Sequence, residues 1–349
     1  MKRLIVPALL AIAVVLGISV HGAFAGVIFE DNFNSQPDWW PTSKQVSCEP
    51  SSCAAGVPSG WNYWRNDEYW TPYGTSPTPG TNPTIQISSF NSYGGSGKAF
   101  TVYNESNNGA SGDGWGADGI LAKRLSQDYN EIYVQLKIKF QPGFQRFWTV
   151  GGNASMIKIF RAYHYDGIGS PFLFFDQGNS APIYIYDTIV SEWGNRFGTA
   201  MRCDPQATQY ACTGNTVSDT LYVGSPAWAS QLGDGNWHVL SYRLKLNTAI
   251  DVKDGIMELW VDNVRQLNKT DMDWIRTGGN INAGWNVIAI GGNAFNNYMH
   301  ITNTTYQAGA EQWYAIDDVV VSTTPIPSGY VIAGSTTPAA PKNLRIVAP

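Results

Sequence analysis

Glu131–Phe140 constrains this chain more than any other stretch. Ile132, Val134, Leu136, Ile138 and Phe140 alternate with Tyr133, Gln135, Lys137 and Lys139. Successive side chains of a strand point to opposite faces, so one face is apolar and the other is wet. That pattern belongs to an antiparallel sheet with one face on a core. Trp237–Asn247 repeats it, with Leu240, Tyr242, Leu244 and Leu246 opposed to Arg243 and Lys245. Met257, Leu259 and Val261 share the inward face of Ile256–Asp262, and Asp262-Asn263 turns the chain into Val264–Leu267. Further short strands are predicted at Val27–Phe33, Thr84–Ser88, Ala99–Tyr103, Ile120–Arg124, Ser155–Tyr165, Phe172–Asp176, Ile183–Asp187, Trp285–Gly291 and Trp313–Ser322. No segment reads as a helix. Many short strands between Gly-, Asn- and Pro-rich turns indicate an all-β sandwich or barrel.

Composition limits what such a protein handles. Charged residues make up 14% of the chain and the net charge is -5, so the basic surface that nucleic acid needs is missing. The chain opens Met-Lys-Arg, runs apolar from Leu4 to Val20 and reaches Ala23-Phe24-Ala25. That is the form of a secretory signal peptide, with cleavage expected after Ala25. A secreted, soluble protein with no later membrane span follows. The domain is expected over residues 26–325, ahead of a Pro/Thr/Ala-rich tail at 326–349. In an exported chain the close pairs Cys48/Cys53 and Cys203/Cys212 read as two local disulfides, each pinning a loop. From Gln36 to Thr84 no strand pattern persists, and the segment reads as a long ordered excursion over the domain.

Ser155–Tyr165 carries the chemistry. It has the apolar content of a central strand, yet holds Lys158, Arg161, His164 and two tyrosines. On an ideal strand Arg161 and Tyr163 share one face, and Lys158 and His164 the other. Arg161 and His164 therefore meet on one surface only where the strand ends or bulges.

Three pieces together resemble the concanavalin A-like lectin/glucanase superfamily, in particular exported polysaccharide-lyase-like jelly rolls. They are Gly235-Asn236-Trp237-His238 leading into Leu240–Asn247, Asp254-Gly255 leading into Leu259-Trp260-Val261-Asp262-Asn263, and Ile316-Asp317-Asp318-Val319-Val320-Val321-Ser322. The resemblance implies a two-sheet antiparallel jelly-roll sandwich with long decorated loops, whose concave sheet forms a groove for a polysaccharide. It also implies neighbouring first and last strands, and with them a structural Ca²⁺ near Glu30, Asp31 and Asp317. The acidic pattern E-x-D-x-x-E of retaining β-glucanases is absent, as are the strand signatures of the alginate-lyase branch.

The functional expectation is a carbohydrate-active protein, with β-elimination as its candidate reaction. A lyase needs a cation to neutralise a uronate carboxylate and a base to take the neighbouring proton. Arg161 fills the first role, His164 or a tyrosine the second, and Lys158, Tyr184 and Tyr186 stand as further candidates. Tyr133, Gln135, Trp61, Trp64, Trp70 and His300 are candidates for substrate binding, the tryptophans either flanking a groove or plugging the space beneath the early loop. A non-catalytic glycan-binding module and a structural surface domain are the competing readings.

Overall fold

The alternation at Glu131–Phe140 becomes a strand whose five apolar residues are each at most 1% exposed. Trp237–Lys245 lies antiparallel beside it and alternates half-buried and buried along its whole length. The computed structural model describes residues 26–41, 56–66, 69–70, 82–103, 115–142, 156–165, 172–178, 184–187, 201–203, 212–213, 234–272, 274–275, 279–295 and 313–333. In chain order the strands are β1 (Val27–Asp31), β2 (Tyr63–Asn66), β3 (Tyr69–Trp70), β4 (Asn82–Pro83), β5 (Ile85–Ser88), β6 (Ala99–Tyr103), β7 (Trp115–Tyr129), β8 (Glu131–Phe140), β9 (Met156–Tyr163), β10 (Phe172–Gly178), β11 (Tyr184–Asp187), β12 (Met201–Cys203), β13 (Cys212–Thr213), β14 (Trp237–Lys245), β15 (Gly255–Val261), β16 (Val264–Met272), β17 (Trp285–Phe295) and β18 (Trp313–Ser322).

These strands build two antiparallel sheets. The first runs β16-β15-β14-β8-β18-β6-β5, with β1 also pairing β18, so the first and last strands lie side by side. The second runs β13-β12-β11-β10-β9-β17-β7-β2. Between them sits one apolar core. From the first sheet come Leu136, Ile138, Leu240, Leu244, Leu259 and Val321; from the second come Leu121, Phe160, Ile288 and Ile290. Phe160 stacks on Tyr242 across the gap, with centroids 4.8 Å apart and planes 14° apart. The fold is therefore a two-sheet antiparallel sandwich. Among the described residues no helix is long and apolar enough to cross a membrane.

Local chemistry explains the turns and corners. Asp262 and Asn263 both take positive φ, 50° and 65°, between the paired residues Val261 and Val264. A two-residue hairpin needs that left-handed backbone, which Asp and Asn tolerate best among residues with a side chain. At one edge Asn66 of β2 accepts hydrogen bonds from the Thr84 backbone N–H at 2.9 Å and its hydroxyl at 2.7 Å. This ties the second sheet to the start of β5 in the first. Gly291 has φ 83°, and a Cβ there would lie 2.3 Å from the Gly119 carbonyl oxygen. Glycine allows β17 to bend at that point, where its register against β9 slips.

Several sequence expectations are revised. The stretch 36–84 holds three short strands, β2, β3 and β4, which lack enough consecutive alternation to stand out in the sequence. β7 starts at Trp115 and reaches Tyr129, well outside Ile120–Arg124. Within 192–224, β12 and β13 pair so that Cys203 stands directly opposite Cys212. Cys48 and Cys53 lie outside the described residues. Gln135 and Lys137, expected on a wet face, are each only 5% exposed.

Candidate functional site

The second sheet has two faces of different character. Leu121, Phe160, Ala162, Ile288 and Ile290 point to the main core. Between them on the same strands, Ile120, Ala122, Val287 and Ala289 form a separate cluster with Tyr63, and Tyr163 packs against it. This is the outer face. Directly paired residues of an antiparallel ladder share a face, and the register traces one row across the sheet. Tyr63 pairs with Ala122, Ala122 with Ala289, Ala289 with Arg161, Arg161 with Phe174, and Phe174 with Tyr186. The adjoining row joins Arg124, Val287, Tyr163 and Phe172. On the other side, Arg65 pairs with Ile120.

Tyr63, Arg124, Arg161 and Tyr163 therefore share this face with small apolar residues. Tyr63 on β2 and Tyr163 on β9 are three strands apart, about 14 Å at ordinary strand spacing. Their hydroxyls nevertheless meet in a hydrogen bond. The two rings reach across β7 and β17, where the intervening residues Ala122 and Ala289 are small enough to lie beneath them. Arg161 stands two residues before Tyr163 on the same face and keeps only 8% of its surface exposed. Arg124 lays its guanidinium over the Tyr165 ring, 3.8 Å from the centroid, and Tyr165 is 37% exposed.

His164 is turned elsewhere. Its Nε2 lies 3.2 Å from Asp128 Oδ2, and Asn286 Nδ2 donates to the other Asp128 oxygen at 2.7 Å. Asn286 in turn accepts the Tyr165 backbone N–H at 2.9 Å. His164 thus belongs to a polar knot where β7, β9 and β17 end, and not to the row of Arg161. Lys158 behaves differently from an ideal strand. Phe160 pairs with Phe175, but Lys158 pairs with Asp176, so Ile159 is an extra residue in β9. This bulge brings position 158 into the same alternation as position 161. Tyr184 and Tyr186 occupy β11, opposite Asp176 and Phe174.

The remaining candidates are not brought together with this face. Trp61 and Trp64 are 6% and 4% exposed and belong to the main core. Trp61 stacks on Phe33 and donates its Nε1 hydrogen to Asp31 at 2.7 Å; Trp64 packs edge-on against Trp39. They are plugs between the sheets. Trp70 sits in β3, in the separate two-stranded sheet. Tyr133 and Gln135 lie on the outer face of the first sheet, on the far side of the sandwich. There Tyr133 donates to Glu131 at 2.8 Å, and burial and that carboxylate push its phenol up to about 12. Gln135 donates to the Ser241 hydroxyl at 3.2 Å. His300 lies outside the described residues.

The carboxylates expected around calcium do not converge. Asp31 accepts from the Phe33 N–H at 2.7 Å, Gln36 Nε2 at 2.9 Å and Trp61 Nε1 at 2.7 Å. Burial nevertheless holds its carboxyl above the usual range, against those three bonds. Glu30 is exposed and accepts from the Tyr330 hydroxyl at 2.7 Å. Asp317 accepts two backbone N–H groups on the opposite face of the first sheet. N–H donors occupy lone pairs that a cation would need. Among the described residues no three His, Cys, Asp or Glu side chains form a metal-binding group.

Sequence reasoning missed Tyr63 and left Tyr163 without a role. The available signal was the alternation Asn62, Trp64, Asn66 against Tyr63 and Arg65, too short to identify on its own.

No family model matches this chain. No curated protein matches it either. Solved structures do. The endo-beta-1,4-glucuronan lyase of the fungus Trichoderma reesei is similar with a TM-score of 0.46 at 13% identity, covering 76% of this chain and 92% of that one. A variant of alginate lyase Aly36B in complex with alginate trisaccharide gives a TM-score of 0.38 at 14% identity, covering 68% and 83%. The beta-glucanase of Bacillus licheniformis gives 0.36 at 12% identity, covering 79% and 97%.

Proposed function

We propose that this is an exported, carbohydrate-active protein whose second sheet receives an acidic polysaccharide on its outer face and cleaves it by β-elimination. The observation that supports this most is the placement of Arg161 beside the Tyr63–Tyr163 hydroxyl pair on one face. In this reading the Arg161 guanidinium pairs with a uronate carboxylate, which makes the proton on the adjacent carbon easier to remove. One tyrosine hydroxyl, as its anion, takes that proton. The other donates its own to the departing glycosidic oxygen. The carbon–oxygen bond breaks, a carbon–carbon double bond forms beside the carboxylate, and no water is consumed. Arg124 and Tyr165 extend the same surface with a second cation and an exposed ring face for a sugar.

Binding without cleavage is the second reading, and His164 favours it. Histidine is a common proton-transfer residue, yet His164 faces Asp128 and not Arg161. The two readings part in one experiment. The protein is mixed with alginate, glucuronan, pectate and a glycosaminoglycan, and ultraviolet absorbance is followed for unsaturated products. Each polymer is also cast into a native gel to detect retardation. Absorbance that grows on one polymer supports cleavage; retardation with flat absorbance supports binding alone. Flat absorbance and no retardation on all of them would refute both readings.

A further inference from the structure

The outer face of the first sheet holds a buried lysine opposite two buried carboxylates. Lys137 on β8 pairs directly with Asp317 on β18. The register then slips between Asp317 and Val320, and Asp318 takes a left-handed backbone with φ 46°. Here β18 changes neighbours, from β6 along 313–316 to β1 along 319–322. The bulge turns both aspartates toward one position on β8. Lys137 Nζ contacts Asp318 Oδ2, and the two side chains are 6% and 5% exposed. Asp317 is 3% exposed; its Oδ1 accepts the Asp318 N–H at 2.8 Å and its Oδ2 the Tyr93 N–H at 2.9 Å. Tyr93 covers the lysine, its ring centroid 3.6 Å from Nζ, and packs edge-on against Trp237 at 5.7 Å.

We infer that Lys137 and Asp318 are a covalent modification site, condensing into an isopeptide bond that ties β8 to β18, with Asp317 as the assisting acid. Within the pair the ammonium passes a proton to the Asp318 carboxylate. This leaves a neutral amine and a carboxylic acid, the nucleophile and the electrophile of the condensation. The amine nitrogen attacks the Asp318 Cγ. A nitrogen–carbon bond forms, one carbon–oxygen bond breaks, and the oxygen leaves as water. Asp317 hydrogen-bonds the developing oxyanion, gives its proton to the leaving hydroxyl and regains one from the nitrogen. No oxidant, reductant or co-reactant enters. Burial holds the Asp317 carboxyl well above the usual carboxylate range, which favours the protonated form this role requires. The bond would close a loop between residues 181 positions apart, which narrows the unfolded ensemble.

Peptide mapping of the reduced, full-length folded protein tests this. Trypsin is expected to release one branched peptide joining the Lys137 and Asp318 segments, one water lighter than its two parts. Asp318→Ala removes the branch, and Asp317→Asn leaves most of the chain unbranched. Recovery of Lys137 and Asp318 in ordinary linear peptides from the wild type overturns the bond and leaves an ion pair; this holds whether or not the variants fold. An Asp317→Asn protein that branches as fully as wild type overturns the role given to Asp317.

Discussion

Replacing Asp262 with Asn should weaken the sandwich in a pH-dependent way. His238 is buried at one end of β14, its Nδ1 2.8 Å from Asp262 Oδ2 and its Nε2 3.3 Å from Asp234 Oδ1. Asp262 Oδ1 also accepts the Val239 N–H at 2.8 Å, so this one carboxylate clamps β14 to the β15–β16 turn. Burial alone would lower the His238 pKa, but the hydrogen bonds and charges of Asp262 and Asp234 outweigh it and raise the value. Asp262 and Asp234 are lowered, burial being outweighed by their hydrogen bonds, those with His238 among them. A hydrogen bond between charged groups contributes about 1.5–3 kcal/mol. Asp262 is 39% exposed, so solvent screening leaves roughly 1 kcal/mol. In a domain of this size that is a melting-temperature loss of about 2–4 °C. Asn keeps the left-handed turn and, through Oδ1, the bond to Val239, and removes the charge and the acceptor that faces His238 Nδ1.

The sign of the pH dependence follows from the directions of the shifts. A raised His238 contributes fully below its unfolded value near 6.5 and loses that contribution as pH climbs through its folded value. The lowered aspartates contribute above their unfolded value of about 3.9 and lose it as pH falls through their folded values. The difference between wild type and Asp262→Asn is therefore greatest between about pH 4 and 6.5. Urea unfolding at about pH 5.5 and about pH 9 reads it directly. Equal differences at the two pH values, or none at the lower one, would refute the reasoning.

Three further substitutions probe the core, the sheet corner and the candidate site. Phe160→Ala removes the ring stacked on Tyr242 between the sheets, and urea unfolding should show a loss of about 3–5 kcal/mol. Asn66→Ala removes the acceptor shared by the Thr84 N–H and hydroxyl, for about 1–3 kcal/mol by the same measurement. Ala289→Leu fills the space beneath the Tyr63 and Tyr163 rings; it should cost about 1–3 kcal/mol and abolish retardation on whichever polysaccharide gel retards the wild type.

Much of the framework is legible in the sequence because period-two alternation and turn chemistry are local. β8 and β14 announce their inward faces residue by residue, and Asp262-Asn263 announces its hairpin. The candidate site is less legible because it depends on departures from alternation. The extra residue at Ile159 brings Lys158 into the alternation of Arg161, and no side-chain pattern marks it. The bulge at Asp318 likewise turns two acids toward Lys137, where an ideal strand would split them between faces. Tyr63 meets Tyr163 only through the order of four strands, a tertiary fact absent from either segment. Trp61 and Trp64 show the converse: aromatics suited to sugar stacking are equally suited to a core, and the sheets here close over them.

The most direct measurement is the initial rate of unsaturated-product formation on acidic polysaccharides, for wild type and Arg161→Ala at matched folded concentration. The proposal predicts ultraviolet absorbance that grows for wild type on at least one uronate polymer, and a rate at least about 100-fold lower once the carboxylate-neutralising cation is gone. An Arg161→Ala protein as active as wild type, or a wild type whose absorbance stays flat on every such polymer, would contradict it.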